Sequence, residues 1–151
     1  MYEKILVPLD GSKLAECVVP HVIKIAKDCK VKKVILLRVC TPINITADFP
    51  SDRPETWEEH VKNLNYIASR QCSLYLDDVG KMLQDAGLQN VEVVGLLGDA
   101  GSMIVDYINN NDIGLVIMAS HGRSGPSRWA FGSVAEKVSR SSRAPVMIVH
   151  A

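Results

Sequence analysis

The chain has 151 residues, a length that suits one domain with a buried hydrophobic core. It is 47% hydrophobic and 23% charged, as in ordinary globular proteins, and its formal net charge is zero. Balanced charge gives no reason to expect nucleic acid or a membrane as the main partner, and no hydrophobic run reaches membrane-spanning length. We therefore expect a single domain over residues 1–151, located in the cytoplasm.

Short hydrophobic runs rich in Val, Ile and Leu predict five β-strands. The first, second and fourth runs are nearly continuous rather than alternating, which is typical of parallel strands covered on both faces. The predicted strands are Lys4–Leu9, Lys33–Val39, Val91–Leu97, Gly114–Ala119 and Val146–His150.

Helical periodicity in the segments between these runs predicts four helices, in the order β-α-β-α-β-α-β-α-β. This alternation predicts an α/β fold: a single doubly wound, Rossmann-like parallel sheet of five strands, with strand order 3-2-1-4-5 and helices on both faces. The longest helix is expected to begin after Pro54 and to end near Gly87. The segment Thr41–Pro54 before it is too long for an ordinary connection, so it is interpreted as either a functional or a mobile loop.

The four cysteines show no spacing typical of a metal site. Cys17, Cys29, Cys40 and Cys72 are far apart in sequence, with no CxxC pair. We interpret them as buried thiols in a reducing cytosol, and we predict no protein metal ligands.

The segment after the fourth strand suits a phosphate group. Ligands of open α/β sheets bind at the carboxyl ends of the strands. Here Gly132 precedes a helix whose first N–H groups and positive dipole end would face an anion, and Arg123 and Arg128 lie nearby in sequence. Ser133 and Glu136 match a capping box, which needs no ligand, so the spacing alone leaves both interpretations open. His121 is interpreted as an exposed loop histidine.

The glycine spacing of this segment resembles the signature of the universal stress protein family, G-2x-G-9x-G-[ST]. Gly122 is followed after nine residues by Gly132 and Ser133, and Ala119 occupies the position of the first glycine. The resemblance extends over the chain: the opening KILVPLDGS, the Gly98-Asp99 step, the helix SVAEKVSR and the Ala144-Pro145 pair before the last strand are similar to the family.

The resemblance implies a site for an adenine nucleotide, ATP or AMP, with Mg²⁺ bridging the phosphates. Asp10 would hold the ribose or the adenine edge, Val39 would meet the adenine through its backbone, and Arg123 would add positive charge. The implied nucleotide-binding residues are Pro8, Leu9, Asp10, Val39, Met118, Ala119, Gly122, Arg123, Gly132, Ser133 and Val134.

The alanine at position 119 leaves a second interpretation open. A Cβ there would crowd the ribose or phosphate, and it would restrict the backbone if the position required a positive φ. Relatives that lack the glycines often bind no nucleotide, so the alternative is an interaction module of the same family without a nucleotide. The family also implies a homodimer through Val146–His150, a strand expected at the sheet edge.

An enzyme is the weakest interpretation. The loop after the first strand, Leu9 to Lys13, matches neither the SGGxDS pattern of adenylate-forming relatives nor a P-loop. No general base is evident beside a γ-phosphate, so we predict no catalytic residues and a regulatory, stress-response role. The sequence leaves slow ATP hydrolysis open.

Overall fold

The computed structural model describes residues 1–42, 56–121 and 131–151. A 3₁₀ turn over Leu14–Val18 leads into the first α-helix. The strands are β1 (Lys4–Pro8), β2 (Lys33–Cys40), β3 (Val91–Leu97), β4 (Leu115–Ala119) and β5 (Val146–Val149). The helices are α1 (Val19–Asp28), α2 (Trp57–Asp85), α3 (Ala100–Asn110) and α4 (Ser133–Ser141).

The five strands form one parallel sheet in the order β3-β2-β1-β4-β5, which confirms the predicted fold class and strand order. Leu6 of β1 lies opposite Ile35 of β2 on one side and Val116 of β4 on the other. The chain winds outward in one direction from β1 to β3 and in the other from β4 to β5. The crevice between the carboxyl ends of β1 and β4 is therefore the topological switch point, where such sheets bind ligands.

Both faces of the sheet are buried, which explains the continuous hydrophobic runs. Ile5 and Val7 pack on the face covered by α1 and α2, whereas Leu6 packs on the face covered by α3 and α4. All three side chains are almost completely excluded from solvent. A strand that alternates between two covered faces cannot tolerate polar residues on either one.

Local signals at both ends of α2 fix its length. The Thr56 hydroxyl accepts a hydrogen bond from the Glu59 N–H, and the Glu59 carboxylate accepts one from the Thr56 N–H, which forms a capping box. Beyond the other end, Gly87 has a φ of +98°, a value that glycine adopts readily. The predicted limits of this helix are confirmed. Although α2 has 29 residues, no helix in the described ranges is long and hydrophobic enough to cross a membrane.

The interpretation of all four cysteines as buried thiols is wrong. Cys40, the last residue of β2, forms a disulfide with Cys72 of α2. Cys29 is exposed and Cys17 is half-buried, and both are free thiols. No local sequence pattern predicts this pairing, because the two residues are 32 positions apart and meet only when α2 packs on β2.

Candidate functional site

A cavity of about 230 Å³ opens at the switch point, between the carboxyl ends of the strands and the first turns of α3 and α4. This volume is somewhat below the usual range for small-molecule sites, about 300–1,000 Å³. The lining residues are Pro8, Leu9, Asp10, Ala15, Val39, Ala100, Ile104, Met118, Ala119, Ser120, His121, Gly132, Ser133, Val134 and Ala135.

The structure brings together nine of the eleven residues predicted to bind a nucleotide. Their ligand roles stay predictions, but their shared position around one cavity is observed. The nine are Pro8, Leu9, Asp10, Val39, Met118, Ala119, Gly132, Ser133 and Val134. The other two, Gly122 and Arg123, lie outside the described residues, as do Arg128 and most of the segment Thr41–Pro54.

Asp10 shapes the turn that follows β1. One of its carboxylate oxygens accepts hydrogen bonds from the Ser12 N–H at 2.9 Å and from the Ser12 hydroxyl at 2.6 Å. Gly11 between them has a φ of +87°, so a side chain there would strain the turn. The Ser12 hydroxyl oxygen in turn accepts a hydrogen bond from the Ala15 N–H at the start of the 3₁₀ turn. Asp10 thus fixes the turn and also lines the cavity.

Ser133 and Glu136 do not form the capping box that their spacing matches. Gly132, not Ser133, is the N-cap residue, and it has no side chain with which to cap the helix. Glu136 forms an ion pair with Arg140 one turn further on, at 3.0 Å. Within the described ranges the Ser133 hydroxyl makes no hydrogen bond. The first turn of α4 therefore presents unsatisfied N–H groups and a free hydroxyl at the cavity.

Gly132 is held by close packing rather than by an unusual backbone angle. Its φ is −59°, which any residue adopts, and its N–H donates to the Ser120 carbonyl oxygen at 2.8 Å. A Cβ added to Gly132 would lie 3.1 Å from that same oxygen. This glycine allows α4 to begin directly against the end of β4.

His121 is not the exposed loop histidine expected from the sequence. Its Nδ1 lies 2.9 Å from the Ser120 hydroxyl. Its Nε2 is buried and has no hydrogen-bond partner among the residues that the structure describes. A buried polar atom without a partner is costly in free energy, unless a ligand or water completes its bonding.

Ala119 fits the backbone without strain. It is the last residue of β4 and pairs with Val149 of β5. Among the described residues other than glycine, only Lys30 and Asp112 have positive φ values, so position 119 does not require a glycine conformation. The Ala119 side chain packs against the core on the α1 and α2 side.

The wall of the cavity formed by α3 is anchored at Asp99. This N-cap carboxylate accepts from the Ser102 N–H at 3.0 Å and the Ser102 hydroxyl at 2.7 Å, and Lys137 of α4 lies 3.2 Å away. The hydrogen bonds from Ser102, followed by the charge of Lys137, lower the pKa of Asp99 from 3.8 to about 2. The Lys137 ammonium also donates to the Ser102 hydroxyl at 2.6 Å, so α3 and α4 are linked beside the cavity.

Sequence reasoning missed six lining residues. Ala100 and Ile104, one helical turn apart, belong to the first turns of α3, and the Gly98-Asp99 step that starts this helix was the available signal. The full set is Ala15, Ala100, Ile104, Ser120, His121 and Ala135. Across the described ranges, no cluster of three or more His, Cys, Asp or Glu side chains could hold a metal ion.

Comparison with known proteins identifies the family of this chain. The model of the universal stress protein family matches residues 1–150. This chain belongs to the universal stress protein family. Universal stress protein MJ0577 of Methanocaldococcus jannaschii is 30% identical, over 99% of this chain and 95% of its own length. The solved structure of MJ0577 superposes with a TM-score of 0.76, covering 100% of this chain and 97% of that one.

Two further solved structures of universal stress proteins share the fold and carry nucleotides. One is a complex with cAMP, 21% identical, with a TM-score of 0.67 and coverage of 99% of this chain and 97% of that chain. The other is an Arabidopsis thaliana protein with AMP bound, 15% identical, with a TM-score of 0.62 and coverage of 97% and 90%. At these identities the likeness establishes the common fold.

Proposed function

We propose that this universal stress protein binds an adenine nucleotide, ATP or AMP, in the cavity at the carboxyl ends of β1, β2 and β4. The observation that carries the proposal is the first turn of α4, which lies near the Nε2 of His121 at one cavity. Among the described residues, no side chain caps this turn, and neither the Ser133 hydroxyl nor the His121 Nε2 has a hydrogen-bond partner. Both border one cavity: the N–H groups of the helix suit an anion, and the buried Nε2 suits a polar ligand atom. The nucleotides in the two related structures agree with this choice of ligand class.

The base and the ribose occupy the cavity. Pairing between β1 and β2 ends at Pro8 and Leu37, with one further bond from the Leu9 N–H to the Leu37 oxygen at 2.8 Å. Val39 lies two residues beyond that last pair. Because alternate residues of a central strand direct their main-chain groups to opposite neighbours, the N–H and C=O of Val39 face the β1 side and meet the adenine edge. Asp10 accepts a hydrogen bond from the ribose or the adenine.

The phosphates lie at the start of α4. The cavity is small for a whole nucleotide, so the phosphates extend past Gly132 toward the first N–H groups of the helix. These donors and the helix dipole favour negative charge, and the Ser133 hydroxyl adds one more donor. Mg²⁺ bound to the phosphates would keep several water ligands and would need no protein cluster.

The proposed role is regulatory and cytoplasmic. Asp10 and His121 are the titratable side chains that line the cavity in the described ranges, and Asp10 already holds the turn through Ser12. We propose that bound nucleotide changes the conformation around the cavity and thereby the binding of partners, without catalysis.

A homodimer through β5 is part of the proposal. In the described ranges β5 pairs with β4 on one side only and ends the sheet. An unpaired edge strand presents N–H and C=O groups to any other strand, and a second copy of this chain would satisfy them.

Thermal unfolding with ATP–Mg²⁺, AMP and GTP tests the nucleotide proposal. A ligand at about 100 times its Kd stabilises the folded state by about 2.7 kcal/mol, which raises the Tm by roughly 5–10 °C in a domain of this size. We expect that rise with adenine nucleotides and not with GTP. Protein free of copurified ligand that shows no rise with any nucleotide would contradict the proposal and favour the interaction module.

A further inference from the structure

The disulfide between Cys40 and Cys72 lies at the edge of the proposed nucleotide cavity. Cys40 directly follows Val39, which lines the cavity. Cys72 is a buried residue in the middle of α2. The bond therefore links the end of β2, where the adenine would bind, to α2, which covers the face of the sheet opposite to α3 and α4.

We propose that this disulfide is a reversible redox switch that sets the affinity of the nucleotide site, and this inference rests on the proposed function. Disulfides that form in reducing compartments are usually transient or regulatory rather than structural. A bond placed one residue from a ligand-binding backbone is suited to such a role.

The two cysteine residues differ in solvent exposure, which gives the reduction a direction. Cys40 is half-buried, whereas Cys72 is only 4% exposed. The thiolate of an external dithiol attacks Sγ of Cys40, the S–S bond breaks, and its electron pair leaves on Sγ of Cys72, which takes up a proton. The second thiolate of the reductant then attacks the mixed disulfide, which leaves Cys40 as a thiol after protonation and the reductant as a cyclic disulfide.

The reduced form has hydrogen-bond acceptors ready for the buried thiol. Sγ of Cys72 lies 3.7 Å from the carbonyl oxygen of Arg38 and 3.8 Å from that of Leu96. A free Cys72 thiol can donate to either oxygen as a weak donor. Reduction therefore leaves no buried polar group without a partner at this position, and both redox states are compatible with the fold.

The change reaches the cavity through the end of β2. The Cys40 carbonyl oxygen accepts a 2.9 Å hydrogen bond from the Gly98 N–H, the residue before the N-cap of α3. The disulfide restrains this strand end and so preorganises Val39 for the adenine, whereas reduction releases it. The disulfide form is accordingly the form with higher nucleotide affinity.

The test uses a variant that keeps only the paired cysteines, Cys17→Ala with Cys29→Ser. The Kd for AMP is measured by titration calorimetry on the oxidised protein and on protein reduced with dithiothreitol. Couplings between sites typically reach about 5- to 150-fold, so we expect AMP to bind at least about fivefold more tightly to the oxidised form. Adding Cys72→Ser should give the weaker affinity with or without dithiothreitol.

The outcomes separate the switch from the nucleotide proposal. Equal affinities in the two forms, or tighter binding by the reduced form, would overturn the switch and leave the nucleotide site intact. Absence of AMP binding in both forms would contradict the nucleotide site itself. Hydrogen exchange of the Gly98 amide then decides the remaining question: faster exchange after reduction supports control of the cavity edge by the disulfide, and unchanged exchange overturns it.

Discussion

The N–H of Gly132 donates a 2.8 Å hydrogen bond to the carbonyl oxygen of Ser120, which joins the start of α4 to the end of β4. The Ser120 N–H is bound to the Val149 oxygen at 2.9 Å, and Ser120 is 2% exposed. Ser120 is thus held by β5 on one side and by α4 on the other. This arrangement holds the start of α4, which has no side-chain cap among the described residues, against the cavity.

Replacing Gly132 with valine should abolish the stabilisation by ATP–Mg²⁺ and AMP. Even a single Cβ would lie 3.1 Å from the Ser120 oxygen, so the larger branched side chain must displace the first turn of α4. Thermal unfolding with and without nucleotide measures the loss. An undiminished rise in Tm in Gly132→Val would contradict the placement of phosphates at this turn.

Gly80→Ala is the matched control for that variant. Gly80 lies in α2, and an added Cβ there meets the Val93 side chain at 3.7 Å, an ordinary contact. Alanine also favours a helix over glycine by roughly 1 kcal/mol. Gly80→Ala should therefore leave the response to nucleotide intact.

Replacing Ser133 with alanine should weaken nucleotide binding without changing stability. Because its exposed hydroxyl has no partner in the described ranges, its loss should alter the free energy of unfolding by less than about 0.5 kcal/mol. A hydrogen bond to a charged group contributes about 1.5–3 kcal/mol, so the Kd for ATP should rise about tenfold or more. Urea unfolding and titration calorimetry measure the two effects. A stability loss near 1 kcal/mol with unchanged Kd would instead indicate a helix cap.

Replacing Ala119 with glycine should change the nucleotide Kd by less than about threefold. The position needs no positive φ, so glycine brings no relief of strain. It does remove a methyl group that packs on the core, and glycine within a strand costs roughly 0.5–1 kcal/mol relative to alanine. The variant should therefore unfold at lower urea concentration. A tenfold gain in affinity would show that the Ala119 Cβ obstructs the ligand.

The fold could be predicted from the sequence because strands of a parallel sheet that are buried on both faces are nearly continuous hydrophobic runs. The predicted bounds of β1 and β3, for example, agree with the structure to within one residue. The strand ends then place the cavity, since Asp10 and Val39 must lie at the carboxyl edge. Their position follows from periodicity and topology, whereas their assignment to a nucleotide site is what the family resemblance implies.

The remaining features depend on contacts between distant segments. The pairing of Cys40 with Cys72 requires α2 to pack on β2, which no local pattern reveals. The capping-box motif at Ser133 was misleading because the helix begins one residue earlier than the motif requires, with Gly132 as the N-cap. The burial of the His121 Nε2 likewise depends on how the chain packs around the cavity.

Replacing His150 with proline should weaken the proposed dimer. The Val149 oxygen bonds to β4, so the N–H of the next residue, His150, points to the open edge of the sheet. Proline removes that donor while being tolerated on an edge strand. We expect the dimer Kd from sedimentation equilibrium to rise about tenfold. His150→Ala, which keeps the N–H, should dimerise as the wild type does, and a monomeric wild type would contradict the interface.

Replacing Asp99 with asparagine should alter how stability depends on pH. Hydrogen bonds from Ser102, and then the charge of Lys137, lower the pKa of Asp99 in the folded protein to about 2 from an ordinary 3.8. A lowered folded-state pKa means that the carboxylate stabilises the protein above about pH 4 and that this contribution disappears as the pH falls toward 2.

Asparagine can still cap α3 through its side-chain oxygen, but it does not titrate. In urea unfolding, the wild type should exceed Asp99→Asn in stability at neutral pH, and the difference should vanish as the pH falls to about 2. Because Asp99 and Lys137 are exposed, high salt should reduce the part of the difference that comes from their attraction. A constant difference from neutral pH to pH 2 would show that the Asp99 charge does not stabilise the start of α3.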